Sequence, residues 1–239
     1  REKKMLGIDR ERNELDVHSA RGMQCTDCHT AKEMHGDGVA YSSMKQTGAM
    51  EVKCGDCHPE VTPSASHTVH GERLDCAVCH VRRVATCYNC HFETQVKEGK
   101  KISIPTTDWV FLINYDGKVT SGNFQSLAYQ GRTFVTYAPH FSHSIMKEGR
   151  VCSECHGTKI AKRLAKKKQK LTWYEKGELQ SVKGVIPVVD GKLDLLFLDR
   201  KDGEWIPLKN APSPVVQYSG YGTPLSDEQL KKLAQRMGK

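Results

Sequence analysis

Ten cysteines in this chain of 239 residues fall into five pairs, each with two residues between and a histidine directly after. The motifs are CTDCH at 25–29, CGDCH at 54–58, CAVCH at 76–80, CYNCH at 87–91 and CSECH at 152–156. No cysteine lies outside them. In a helical turn, residues i, i+3 and i+4 share one face. Each motif read as such a turn presents two thiols and an imidazole side by side. A disulfide scaffold spaces its cysteines irregularly. Structural zinc draws thiols from two pairs to one ion and has no need of a histidine after each; five pairs do not combine two by two. Thioredoxin-like motifs come singly, in a βαβ frame.

Cys-x-x-Cys-His is the attachment signature of c-type haem. The expected cofactors are five haem c groups, each held by two thioethers: from Cys25 and Cys28, Cys54 and Cys57, Cys76 and Cys79, Cys87 and Cys90, and Cys152 and Cys155. His29, His58, His80, His91 and His156 are then the proximal iron ligands. Over residues 18–156 the chain resembles the multihaem c-type cytochromes of bacteria and archaea, a class that includes extracellular cytochrome filaments. The resemblance implies a location outside the cytoplasm, in the periplasm or at the cell surface.

Six histidines remain: His18, His35, His67, His70, His140 and His143. Five irons take at most five distal ligands, so bis-histidine ligation throughout leaves one to spare. His18 stands seven residues before Cys25, His70 six before Cys76, His143 nine before Cys152, and His35 six after His29. The resemblance implies that distal ligands come from such places, commonly for a haem other than the adjoining one. His67/His70 and His140/His143 are i,i+3 pairs, which on a helical turn point one way and serve two neighbouring irons. His18, His35, His67, His70 and His143 are the expected distal ligands. His140, after Pro139, is the expected spare, with iron in a neighbouring subunit as its alternative.

The expected fold is a mostly irregular and α-helical haem-wrapped multihaem cytochrome with little regular secondary structure, plus small β-hairpins and a C-terminal helix. Only 38% of residues are hydrophobic and 7% aromatic, so porphyrins are expected to supply much of the core. Residues 1–101 form a four-haem segment and 102–137 a β-rich insertion, with a hairpin at Asp116-Gly117. Residues 138–171 hold the fifth motif and a basic amphipathic helix, KIAKRLAKKKQK at 159–170. Residues 172–239 read as hairpins around Lys176-Gly177, Asp190-Gly191 and Asp202-Gly203, then a helix over about 226–237 with a Ser226/Gln229 capping box and a Leu225/Leu230 staple.

The function expected is electron transfer by a carrier rather than an enzyme. Its partners are redox proteins or extracellular electron acceptors, or further copies of the chain in a homopolymer with haems stacked across subunits. The competing expectation is a multihaem reductase or dehydrogenase of a small nitrogen or sulfur compound, with one open haem. The net charge of +8 raises the question of nucleic acid, but no recognition motif accompanies it. No apolar run approaches the ~20 residues of a membrane span.

Overall fold

The computed structural model describes residues 16–91, 99, 109–201 and 204–236. Its centre is a six-stranded mixed sheet. This overturns the expectation of a mostly irregular, helical wrap. The physical reason lies in the run Trp109–Ile113. It is too apolar to stand as a surface hairpin and is buried on both faces, as the central strand of a covered sheet requires.

The strands that open the chain's β structure are β1 (Thr86–His91), β2 (Trp109–Tyr115), β3 (Lys118–Tyr129) and β4 (Arg132–Pro139). Then come β5 (Gln169–Lys170), β6 (Thr172–Glu175), β7 (Glu178–Ser181) and β8 (Gly184–Pro187). The last are β9 (Leu193–Asp194), β10 (Leu198–Lys201), β11 (Glu204–Pro207) and β12 (Val215–Tyr218). The main sheet runs β12-β4-β3-β2-β8. One edge of the long β3 is shared: β2 pairs with residues 118–122, and β1 runs parallel along 124–128.

Two tight turns follow the residue chemistry. Asp116-Gly117 joins β2 to β3 with φ of 48° and 74°, and Lys176-Gly177 joins β6 to β7 with 52° and 81°. Consecutive left-handed residues match the twist of a two-residue hairpin. At Asp190-Gly191 the expected hairpin does not form. Val185, Ile186 and Val188 are drawn in alongside β2 instead, and β9 pairs with β5. β10 and β11 pair antiparallel; their turn at Asp202-Gly203, residues 102–108 of the expected insertion, and Met237 lie outside the described residues.

The helices are short: α1 (Ala31–His35), α2 (Cys54–Cys57), α3 (Ala65–His70), α4 (Cys76–His80), α5 (Cys152–Cys155), α6 (Lys159–Leu164) and α7 (Asp227–Ala234). The basic helix stops at Leu164, earlier than its sequence pattern suggested, but buries Ile160 and Leu164 as that pattern requires. Ser226 caps α7, accepting from the Gln229 N–H at 3.2 Å. Leu225 and Leu230 are both buried.

Strand alternation sorts the core into two layers. Trp109, Phe111 and Ile113 face one way, into a cluster with Phe124, Tyr137, Leu164 and Leu230. Val110 and Leu112 face the other way, towards α4 through Val78, Val81 and Val84. From residue 17 to 74, by contrast, no hydrophobic side chain is buried. Three of the five cysteine motifs therefore sit on a framework and the other two on a segment without a core of its own.

Candidate functional site: paired histidines beside the cysteine motifs

Four motifs are helical turns: a 3-10 turn at Cys25–Asp27, then α2, α4 and α5. An acidic residue before the second cysteine makes three of them. Its carboxylate accepts the N–H three residues back: Asp27 from Gln24 at 2.7 Å, Asp56 from Lys53 at 2.8 Å and Glu154 from Val151 at 2.8 Å. These bonds satisfy first-turn donors that a short helix leaves orphaned. In the third motif Asp75 does this from the N-cap, accepting from Ala77 N at 2.8 Å.

CYNCH has neither device, and it is not a helical turn. It lies in β1, a correction to the shared-helix-face reading of this motif. Cysteines three apart on a regular strand point to opposite faces. Here Cys87 pairs with Gln125 and Cys90 with Leu127, so a bulge brings both cysteines to one face. Asn89 absorbs the extra residue at φ 51°. It is 1% exposed, and its side chain clasps Leu198, donating to the carbonyl at 2.7 Å and accepting the N–H at 2.8 Å. Its own N–H donates to Ser126 Oγ at 2.7 Å. Tyr88 is buried beside it, its hydroxyl paired with Thr172 Oγ1 at 2.9 Å. Replacing Asn89 by Ala leaves both Leu198 groups buried and unpaired in a left-handed backbone. The expected loss is about 3 kcal/mol of stability, read as a lower urea midpoint; an unchanged midpoint would refute the clasp.

The imidazoles come together in pairs. His18 faces His58 with ring centres 6.2 Å apart, His29 faces His143 at 6.0 Å, His67 faces His80 at 6.3 Å and His70 faces His156 at 6.1 Å. Every pair joins one motif histidine to one histidine outside the motifs. None joins a motif to the nearest surplus histidine ahead of it; even His80 faces His67 rather than the nearer His70.

The positions are set by backbone. Ser64 caps α3, placing His67 and His70 on one face, one turned to the third motif and one to the fifth. Asp16 is buried and holds the 16–19 turn to residue 145, accepting from Ile145 N at 2.7 Å, from His18 N at 2.9 Å and from Ser19 N at 3.1 Å. Arg150 donates to carbonyls at the end of α4, reaching Arg82 O at 2.9 Å. The 140–150 segment thus meets the first and third motifs directly and holds the turn whose His18 faces the second. His140 and His143 lie there in extended chain, not on the expected helical turn.

Most of the paired rings are oriented through Nδ1. His67 donates to Thr62 O at 2.8 Å, His70 to Ser66 O at 2.8 Å, His80 to Met146 O at 3.1 Å and His156 to Lys232 O at 3.1 Å. His29 bonds Glu33 Oε2 at 2.8 Å. A proton fixed on Nδ1 leaves Nε2 with its lone pair, the form that ligates a metal. Glu33 lies in this site although nothing in the motif pattern marks it. Burial alone would push its carboxyl up, but the N–H groups of Glu51 and Val52 and the His29 ring prevail and hold it at about 2. One signal was available: among the residues four after each motif histidine, only Glu33 is acidic.

Two other histidines, His35 and His140, have no such ring partner among the described residues. His35 is exposed at the end of α1. His140 is half-buried; burial, Lys45 and His143 push its imidazole down to about 4. His91 is described in its backbone alone, beside Ala128 near the far end of β3.

No disulfide joins the ten cysteines. The Cys54 and Cys76 thiols lie together, each shifting the other's acidity, Cys54 upward and Cys76 downward. The second and third motifs therefore meet edge to edge. Among the described residues no group of three or more His, Cys, Asp or Glu is placed to hold a metal ion. No protein-family model, no curated protein and no solved structure matches this chain. No described helix is long and apolar enough to cross a membrane.

The residues fit haem c by their spacing. Two metal–imidazole bonds of about 2 Å, with about 1 Å from each nitrogen to its ring centre, set ring centres about 6 Å apart. The four pairs stand at that separation. Met34, Val39, Met44, Val61 and Val69, all in the 17–74 segment, are exposed, apolar side chains of the kind that a flat hydrophobic cofactor covers.

Proposed function

We propose that the chain is an extracytoplasmic electron conduit carrying five haem c groups and no catalytic residue. The observation that supports it is the set of four imidazole pairs at 6.0–6.3 Å, each beside its own Cys-x-x-Cys. When bound, haem supplies reversible one-electron iron chemistry. The chain's own residues do the rest. The cysteines would anchor the cofactor, and each histidine pair would hold its iron. The Nδ1 hydrogen bonds hold the rings in place as the charge at iron changes. Sites closed on both sides conduct rather than bind substrate. Pyridine haemochrome analysis of protein matured with haem is expected to return five haems per chain, with low-spin spectra at the four paired sites.

The fourth motif favours a polymer subunit over a discrete shuttle. His91 lies at Ala128 of β3, whereas His140 follows Pro139, the partner of Gly122. Six strand residues separate these points, about 20 Å at ~3.3 Å per residue, too far for two imidazoles on one iron. His35 belongs to the same distant end, because α1 begins two residues after His29, whose ring faces His143. One end of the sheet thus carries a motif histidine and the other carries spare histidines. Copies joined head to tail would complete the site, and a heterologous contact that does not close builds a filament. Negative-stain microscopy is expected to show filaments, and H35A to abolish them while retaining five haems. Filaments unaffected by H35A would exclude His35 as the joining ligand. A fourth haem that binds cyanide within intact filaments would favour the reductase or dehydrogenase reading.

A further inference from the structure

We infer that Glu33 is a tuning residue, making His29 the most strongly donating imidazole of the described pairs and giving the first motif the lowest reduction potential. This rests on the haem reading of the motifs and assigns one of them a distinct place.

The argument starts from what each Nδ1 meets. His67, His70, His80 and His156 donate to neutral backbone carbonyls. Among the described rings, His29 alone is hydrogen-bonded to a carboxylate, Glu33 Oε2 at 2.8 Å. His18 has a carboxylate nearby, but Asp16 Oδ1 is 3.5 Å from Nδ1 and already accepts the N–H groups of His18 and Ser19. A carboxylate on Nδ1 raises the basicity of the metal-bound nitrogen. A more basic axial ligand favours ferric over ferrous iron.

Glu33 is built to stay in this role. Its side chain is 2% exposed. Its other oxygen accepts N–H groups from Glu51 and from Val52, the latter at 2.9 Å. Thr30 caps α1 and accepts the Glu33 N–H at 3.4 Å. The carboxylate therefore bridges the first motif to the strand of chain entering the second. It has three donors and little water to weaken it, and a buried charge-assisted hydrogen bond is stronger than a neutral one.

The test is a spectroelectrochemical titration of the haem-loaded protein. In E33Q one of the five midpoints, the lowest, is expected to rise by about 59 mV, a tenfold change in a one-electron equilibrium. The other four stay in place. E33D keeps the charge but withdraws it from Nδ1; it is expected to raise the same midpoint and covers the case in which E33Q fails to fold. C25A/C28A, which removes the first attachment site, is expected to delete that lowest midpoint. Five haems with unmoved midpoints in either Glu33 variant, or loss of a different midpoint in C25A/C28A, overturns the assignment. An unsubstituted protein that takes up no haem refutes the electron-transfer reading instead, so the two failures are distinguishable.

Discussion

A chain produced without haem attachment is expected to keep its sheet and lose order over residues 17–74. All the buried hydrophobic side chains among the described residues lie from Ala77 onwards. Phe111, Ile113, Phe124 and Ile186 are fully buried against one another and need no cofactor. Residues 17–74 bury none. What shapes them is mostly local, caps at Thr30 and Ser64 and carboxylates closing single turns, with a few longer polar ties such as Glu33 to Val52 and Lys45 to Tyr115. Isolated turns of this length are marginal in water. Ligation must supply the missing free energy, as in domains whose binding energy is folding energy. Hydrogen exchange read by mass spectrometry checks this. In the haemless chain, amides of 109–139 should remain protected and those of 17–74 should exchange as in open coil. Haem loading should then slow the latter by roughly a hundredfold or more. Protection of 17–74 without haem would overturn the claim that cofactors provide that segment's core.

Replacing His143 by Ala is expected to turn one of five haems high-spin, whereas replacing His140 leaves all five unchanged. The two histidines lie three positions apart in extended chain, and composition does not separate them. Their surroundings do. His143 presents its ring to His29 at 6.0 Å. His140 is held by Ser121, donating its N–H to Ser121 O at 2.8 Å and accepting from Ser121 Oγ at 2.7 Å, beside Lys45. His143 also closes a loop of more than a hundred residues back to the first motif. A cross-link over such a span is worth about 4–5 kcal/mol of unfolded-state entropy at most. H143A should therefore lower thermal stability as well as open one axial position, and added imidazole should restore the low-spin signal. A high-spin component in H140A rather than H143A would sink the ligand pairing.

Much of the chemistry was legible in the chain. Five Cys-x-x-Cys-His motifs marked the residues proposed to anchor haem, and a count of the other histidines marked the supply of proposed second ligands. The turn residues Asp116-Gly117 and Lys176-Gly177 and the Ser226/Gln229 cap act over a few positions, so a short window contains everything that decides them. The same holds for Asp27, Asp56 and Glu154, whose carboxylates close their own motif turns.

Other features were decided by residues far apart. Trp109–Ile113 was readable as a strand, but its neighbours β3 and β8 come from separate stretches. The fourth motif bulges in β1 because Leu198, over a hundred positions away, clasps Asn89. His29 faces His143 and His58 faces His18 because Asp16 ties the start of the chain to Ile145. The sequence by itself determined which side chains can hold a cofactor, since that depends on residue type and local spacing. Which histidine faces which, and that a covered sheet rather than loops carries the third and fourth motifs, was decided only by tertiary packing. Long-range pairing depends on mutual burial of apolar faces, and no local window contains both partners.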